Sequence, residues 1–344
     1  MLKEQLEKIL SGKNLAPQEM ADAMESILSG GEPDALVGAF LAGLRAKGET
    51  VEEIASAASV IRSKVVPVNL KGKTLIDIVG TGGDRAGTIN ISTGASFIAA
   101  AAGSLVAKHG NRSVSSRCGS ADILEALGIP LLDKPEDVKA CISKTGYGFI
   151  FAPHFNSPMK NVAPIRKAIG LRTIFNILGP LSNPAKPSHQ LVGVFSPKLV
   201  RPITEVLALL GVSRAMVFHG HGGLDELSLS GPNRVCLLNR GKIQDMEILP
   251  EDAGLSRAPL GYASGGGVNE NRRILLDIFG GMRGPMRDVV VLNAAAALYV
   301  DGLTTGIFEG ARMAEQIIDS GLAMKKLEEV VRFSRSITGK EEAV

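Results

Sequence analysis

The chain has 344 residues, 45% hydrophobic and 21% charged, which excludes global disorder and suits two domains, or one large domain with an inserted element. Its 38 Lys and Arg against 35 Asp and Glu leave a net charge of +3, too weak a field to argue for nucleic acid. With 3 Tyr, 11 Phe and no Trp it has no stacking platform for single strands.

The N-terminus, Met1-Leu2-Lys3-Glu4-Gln5, turns polar at once and does not read as a signal peptide. Leu2, Leu6, Ile9 and Leu10 recur at helical spacing. Pro17 suits a first helical turn, and Met20, Ala23, Met24, Ile27 and Leu28 follow on one face. Pro33 opens a third helix with Leu36, Phe40, Leu41 and Leu44. Thr50 with Glu53 forms a capping-box pattern for a fourth, carrying Ile54, Ala57, Ala58 and Ile61. So small a block buries little alone. It is expected to pack on another part of the chain or on a second copy.

After Pro67 the pattern changes. Leu75–Val79 reads as a strand ending in Gly80-Thr81-Gly82-Gly83, followed by a helix over Gly94–Ala102 and a strand at Leu105–Ala107. Ser120 can cap a helix ending near Leu127. A helix over Pro135–Lys144 and a strand at Tyr147–Phe151 come next. Ser157–Asn183 interrupts the alternation with helical pieces broken by Pro164, Gly170, Pro180 and Pro184. Leu191–Phe195, Leu199–Leu210 and Ala215–Phe218 then read strand, helix, strand, and the chain is helical from about Asp288, with Asn293–Leu298 buried. Such alternation predicts an α/β fold with a mostly parallel central sheet covered by helices. Cys118, Cys141 and Cys236 form no C-x-x-C pair, and the longest bland apolar run, Phe97–Ala102, is far below a membrane span. A cytoplasmic protein without membrane contact is expected.

Four segments carry chemistry. Gly80-Thr81-Gly82-Gly83-Asp84, with Thr88 and Asn90-Ile91-Ser92-Thr93-Gly94 before a helix, lets backbone N–H groups approach a phosphate. It is neither a Walker loop nor a G-x-G-x-x-G fingerprint. A capped turn without ligand would look the same. Lys108-His109-Gly110-Asn111-Arg112 follows an apolar strand, and strand ends in a parallel sheet share one crevice. Lys108 and Arg112 would then face the glycine loop, and Ser113, Val114, Ser115, Ser116, Arg117 and Ser120 continue a polar loop. Gly222–Ser228 contains Asp225-Glu226, which by itself reads first as a solvated acidic turn and, beside a polyphosphate, as an oxygen pair suited to Mg²⁺. Arg166 can fork onto a carboxylate, although on residue type alone an ordinary surface Arg serves as well.

Together, in this order and spacing, these segments resemble the anthranilate phosphoribosyltransferases of tryptophan biosynthesis, from the N-terminal helices to the last ones. The resemblance implies a small all-helical domain, residues 1–66 plus about 157–185, and a large α/β domain, residues 67–156 plus 186–344. It implies a homodimer paired through the small domains. The reaction would join anthranilate to 5-phosphoribosyl 1-diphosphate (PRPP), releasing pyrophosphate. PRPP would be held by Gly80, Gly83, Asp84, Thr88, Asn90, Ile91, Ser92, Thr93, the Lys108–Ser116 stretch and Ser120. Anthranilate would meet Gly80, Asn111 and Arg166, with His109 and Gly179 nearby. Ser92, Asp225 and Glu226 would hold Mg²⁺, two ions per subunit. Two other readings share the fold. A pyrimidine nucleoside phosphorylase would carry Lys-His-Ser-Thr-Gly-Gly before its helix, where this chain has Gly80–Asp84. A non-catalytic nucleic-acid-binding relative would show a basic stripe, which the balanced charge argues against.

Overall fold

The chain begins with four helices, α1 (Leu2–Leu10), α2 (Pro17–Ser29), α3 (Asp34–Lys47) and α4 (Val51–Lys64), in a computed structural model that describes residues 2–84, 86–113 and 117–339. Apolar spacing closes them around Met20, Met24, Phe40, Leu44, Ile54 and Ile61, all buried. Leu10, expected on that face, is exposed. The Thr50–Glu53 box is formed in both directions. Glu53 N–H donates to Thr50 Oγ1 at 3.2 Å, and Thr50 N–H donates to Glu53 Oε2 at 2.8 Å. Such a cap contributes about 1 kcal/mol. Glu53 also accepts from Leu15 N–H at 2.8 Å and pairs with Lys47 Nζ at 2.9 Å. One buried carboxylate thus ties α4 to the segment before α2 and to the end of α3.

Alternation then sets in with β1 (Ile76–Gly80), α5 (Ile91–Ala101), β2 (Val106–Gly110), α6 (Ser120–Ala126), α7 (Pro135–Thr145) and β3 (Tyr147–Phe151). Three helices interrupt it, α8 (Ala152–Phe155), α9 (Met159–Ile169) and α10 (Phe175–Leu181). It resumes with β4 (His189–Gly193), α11 (Val200–Leu209) and β5 (Arg214–His219), then β6 (Asn233–Asn239) and β7 (Lys242–Ile248). Helices α12 (Val268–Phe279), α13 (Pro285–Asp301), α14 (Ile307–Asp319) and α15 (Leu322–Ile337) complete the described chain.

Several boundaries differ from expectation. Strand β2 runs on through Lys108, His109 and Gly110, so the first two are buried strand residues rather than loop residues. Helix α5 starts at Ile91, three residues early, which puts Asn90 at its N-cap. Ser120 is the first residue of α6, not its cap; Gly119 holds that place, and Asp122 Oδ2 accepts the Gly119 and Ser113 N–H groups at 2.9 and 3.0 Å. Pro164 and Pro180 lie inside α9 and α10 instead of breaking them. The β6–β7 hairpin and α12 had no counterpart in the sequence reading. The two hairpin residues, Arg240 at φ 48° and Gly241 at φ 83°, both take left-handed backbone, as a tight hairpin turn requires. An Arg in the first place hides that signal.

The seven strands lie in the order β3-β2-β1-β4-β5-β6-β7. The first five are parallel, and β6 and β7 are antiparallel. Alternate side chains feed two cores. Leu191, Met216 and Val235 join α5 and the C-terminal helices, while Val192, Val217 and Cys236 join α11 and the N-terminal helices. On that second face α9 packs on α2 and α3, and Asn161 Nδ2 donates to Leu28 O at 2.8 Å. Arg62 of α4 donates to Leu181 O at 2.6 Å. The Ala-rich Asn293–Leu298 segment of α13 is fully buried, as its composition predicts. None of the three cysteines is in a disulfide, and among the described residues no helix is long and apolar enough to cross a membrane.

Candidate active site

Strand order reverses at β1. The chain goes outward through β2 and β3, returns to β4 on the other side of β1, and continues to β5. In an open parallel sheet the crevice beyond the strand ends at such a switch is where ligands bind. Here those ends carry Gly80, the Lys108–Gly110 run, Gly193 and the segment after His219.

Asp225 and Glu226 descend onto these ends. A Cβ at Gly193 would stand 1.7 Å from the Asp225 carbonyl oxygen, and one at Gly80 would stand 2.3 Å from Asp225 Oδ2. Glycine at both strand ends is therefore the seat of the acidic pair, a role the phosphate-loop reading of Gly80 did not contain. Gly82 N–H donates to Asp225 Oδ2 at 2.6 Å, and Ser92 N–H donates to Glu226 Oε1 at 3.1 Å. On the other side Asn293 of α13 clamps Leu227, accepting its N–H at 3.0 Å and donating to its carbonyl at 2.9 Å. Asp84 adds a third carboxylate; its Oδ2 is buried and receives no hydrogen bond among the described residues. Burial raises the Asp225 pKa well above the usual carboxylate range, and the Asp84 and Glu226 charges push the same way. Glu226 is pushed up to about 7 by burial, against the pull of the Lys108 ammonium.

Three carboxylates crowd one another here, with a buried Asp84 oxygen that meets no donor among the described residues, a set of hard oxygen ligands. Among the described residues no three His, Cys, Asp or Glu side chains form a ready-made metal centre. Mg²⁺ needs none, since it is usually held by one or two carboxylates together with substrate phosphates. The donor set fits that ion.

Lys108 is buried beneath this cluster. Its ammonium donates to Ile78 O and lies 3.4 Å from Ser92 Oγ. Burial lowers its pKa, opposed by Asp77 and Glu226. Asp77, fully buried on β1, accepts from His109 N–H at 3.1 Å and from Asn183 Nδ2 at 2.8 Å, and burial raises it to about 6. The His109 imidazole is lowered to about 4 by burial, although the Gly179 carbonyl favours its proton. Its Nε2 is buried without a partner among the described residues.

Arg112 departs from expectation. It pairs with Asp122 at 3.0 Å and Glu125 at 2.5 Å on α6 and lies over the Phe151 ring, so its guanidinium is engaged by helix acids and does not face the glycine loop. Asn111 accepts from Ser120 Oγ at 3.2 Å through its carbonyl. Ile91 is core, with its side chain fully buried, and Thr93 is buried too. Thr88 forms an isolated bridge with Ser264. Val114, Ser115 and Ser116 lie outside the described residues.

The interrupting helices form the opposite wall. Arg172 donates to the Gly83 carbonyl and stacks 4.2 Å from the Phe195 ring centroid. Gly179 reaches the His109 ring. Arg166 stacks on Phe175 at 5.7 Å and, half-buried, has no carboxylate partner among the described residues. The sequence reading brought Arg166, His109, the glycine loop and the acidic pair to one place. It missed Asp77, Asn183, Gly193 and Asn293. Only Asp77, a charge inside an apolar strand, left a visible signal.

Residues 3–65 match the family model for the glycosyl transferase helical bundle domain, and residues 72–324 match that for the glycosyl transferase family a/b domain. The anthranilate phosphoribosyltransferase of Petrotoga mobilis is 52% identical over 333 residues, 97% of each chain. The chain belongs to the anthranilate phosphoribosyltransferase family. The crystal structure of the family member from Thermus thermophilus superimposes with a TM-score of 0.91 at 42% identity, over 96% of this chain and 99% of that one. The Saccharomyces cerevisiae enzyme in complex with PRPP and Mg gives a TM-score of 0.89 at 29% identity, over 97% and 98%. That yeast protein has also been solved with 4-fluoroanthranilate. The small N-terminal helical domain and large α/β domain are those of this transferase family.

Proposed function

We infer that the protein transfers the 5-phosphoribosyl group of PRPP to the amine of anthranilate, giving N-(5-phosphoribosyl)anthranilate and pyrophosphate, in tryptophan biosynthesis. The observation that carries the reading is the pair of complementary charge deficits in one family-typical crevice. Three crowded carboxylates lie at the ends of β1, β4 and β5, and on the interrupting helices Arg166 has no carboxylate partner among the described residues. The first suits a divalent cation accompanying a diphosphate, and the second a carboxylate.

On this reading the Gly80–Asp84 loop, Asn90, Ser92, Thr93 and Lys108 hold the donor, joined by Thr88, the Gly110–Ser116 stretch and Ser120. Ser92, Asp225 and Glu226 would hold Mg²⁺, two ions per subunit. When bound, the metal supplies positive charge against the departing pyrophosphate. Backbone N–H groups of the glycine loop and α5 add fixed dipoles where negative charge develops. Arg166 holds the anthranilate carboxylate by a bidentate fork, and Gly80, Asn111 and His109 line the same place. As the bond from the anomeric carbon to the diphosphate oxygen breaks, that electron pair leaves with pyrophosphate, the amine nitrogen bonds to the carbon, and its proton passes to the departing pyrophosphate or to water. Anthranilate's amine is neutral near pH 7 and needs no strong base. His109, held neutral by burial, is suited to hydrogen bonding rather than to taking that proton. Catalysis is then chiefly positioning and leaving-group stabilisation.

The same reading places residues 1–66 with about 157–185 in the small domain and 67–156 with 186–344 in the large one. It pairs two chains through their small domains in the cytoplasm. Packing of α9 on α2 and α3 supports the division. Mixing the protein with anthranilate, PRPP and Mg²⁺ should extinguish anthranilate fluorescence, and omission of PRPP or addition of EDTA should abolish the loss. Persistent fluorescence with folded protein would overturn the reading.

A further inference from the structure

Asn90 sits at the N-cap of α5, where Asn is among the strongest capping residues, yet its side chain makes no capping hydrogen bond. Its amide is engaged sideways. Gly266 N–H donates to Asn271 Oδ1 at 2.8 Å, Asn271 Nδ2 donates to Asn90 Oδ1 at 3.0 Å, and Asn90 Nδ2 donates to Cys118 O at 3.2 Å. The two ends of this relay are backbone groups of fixed polarity, so each amide has one permitted orientation. Asn271 is buried on α12, while Asn90 keeps part of its surface open.

A capping side chain takes the N–H of the second or third helical residue. In α5 the second, Ser92 N–H, goes to Glu226. The third, Thr93 N–H, has no acceptor among the described residues. Asn90 Oδ1 is the one atom of that side chain able to accept it, and the bond from Asn271 Nδ2 holds that oxygen turned away from the helix. We propose that Asn271 is a positioning residue for the donor: by holding Asn90 Oδ1 off its own helix it keeps the first turn of α5 uncapped, and the Thr93 N–H stays open to an anionic phosphate oxygen. The relay also ties the loop before α5, the loop before α6 and the segment before α12 into one frame. This rests on the donor reading above and adds a residue to it.

Asn271→Ala releases Asn90 to cap α5. The KM for PRPP should rise about tenfold, the size of one hydrogen bond to a charged group, with kcat and the anthranilate KM within about twofold. In the Asn90→Ala background the same substitution should change nothing further, because the oxygen it restrains is gone. A role in folding alone would add to the Asn90→Ala effect instead. An unchanged PRPP KM in Asn271→Ala, or additive effects in the double variant, overturns the proposal. If Asn271→Ala does not melt as a folded protein, Asn271→Ser completes the same cycle. Wild-type protein that binds no PRPP by calorimetry and turns over no anthranilate would overturn the donor reading itself. An active wild type with an indifferent Asn271 sinks only the present proposal.

Discussion

The two halves of the crevice that the proposed function assigns to donor and acceptor are built by different means and carry opposite charges. On the donor half, Asp84, Asp225 and Glu226 are forced together on strand ends, seated on glycine and clamped from behind by Asn293. On the proposed acceptor half, Arg166 stacks on Phe175 and has no carboxylate partner among the described residues. A cluster of repelling carboxylates destabilises the folded chain and persists because rigid neighbours impose it. A single stacked guanidinium imposes little strain. Substitutions on the donor half should therefore exchange activity for stability, whereas those on the acceptor half should change affinity alone.

The largest effect is expected from Asp225→Asn together with Glu226→Gln. Turnover should fall by more than about 100-fold, the equivalent of several kcal/mol of metal-derived stabilisation. At pH 8 and without Mg²⁺, thermal melting should move the other way, up by on the order of 2–4 °C. Both carboxyls hold their protons to higher pH in the folded chain than in the unfolded one. The wild type therefore loses stability as pH rises from about 4.5 toward about 7, and the gain in the variant should shrink at pH 5. A variant that melts below the wild type at pH 8 would break the comparison.

Gly193→Ala tests the seat without touching a charge. The added Cβ would stand 1.7 Å from the Asp225 carbonyl oxygen, so the acidic pair must lift. A displacement of that kind is expected to lower kcat/KM about 100-fold and to weaken the response to Mg²⁺ titration. Retained activity with an unshifted Mg²⁺ dependence would mean that the pair tolerates movement.

Legibility in the sequence follows the same division. The Thr50–Glu53 box, the glycine loop and Asp225-Glu226 are local patterns, and each forms where its pattern lies. Gly193 looks like any strand-end glycine, because the carbonyl it accommodates lies 32 positions further along the chain. Asn271 and Asn293 are buried polar residues whose partners come from distant loops. Asp77 was visible as a charge among Leu75, Ile76 and Ile78, but its partners His109 and Asn183 were not. The hairpin escaped because Arg240 adopts a backbone conformation that Asn or Asp would have advertised.

Arg166→Ala addresses the acceptor half. Removing a fork to a carboxylate should raise the anthranilate KM about 10- to 100-fold, with the PRPP KM within about threefold and melting unchanged. Equal rises in both constants would place Arg166 outside the acceptor pocket.

The smallest effect is expected at Arg112, which belongs to the donor half by sequence but pairs with acids of α6. Its guanidinium already pairs with Asp122 and Glu125, and its side chain is 49% exposed. Exposed pairs of this kind contribute about 0–1 kcal/mol, so Arg112→Ala should leave melting nearly unchanged. A guanidinium already held by two carboxylates gains little by exchanging them for a phosphate, so the PRPP KM should rise by less than about threefold. A tenfold rise would show that Arg112 leaves α6 when the donor arrives. The donor half would then include a mobile cation as well as its fixed strand ends, and the contrast with the acceptor half would narrow to the carboxylates alone.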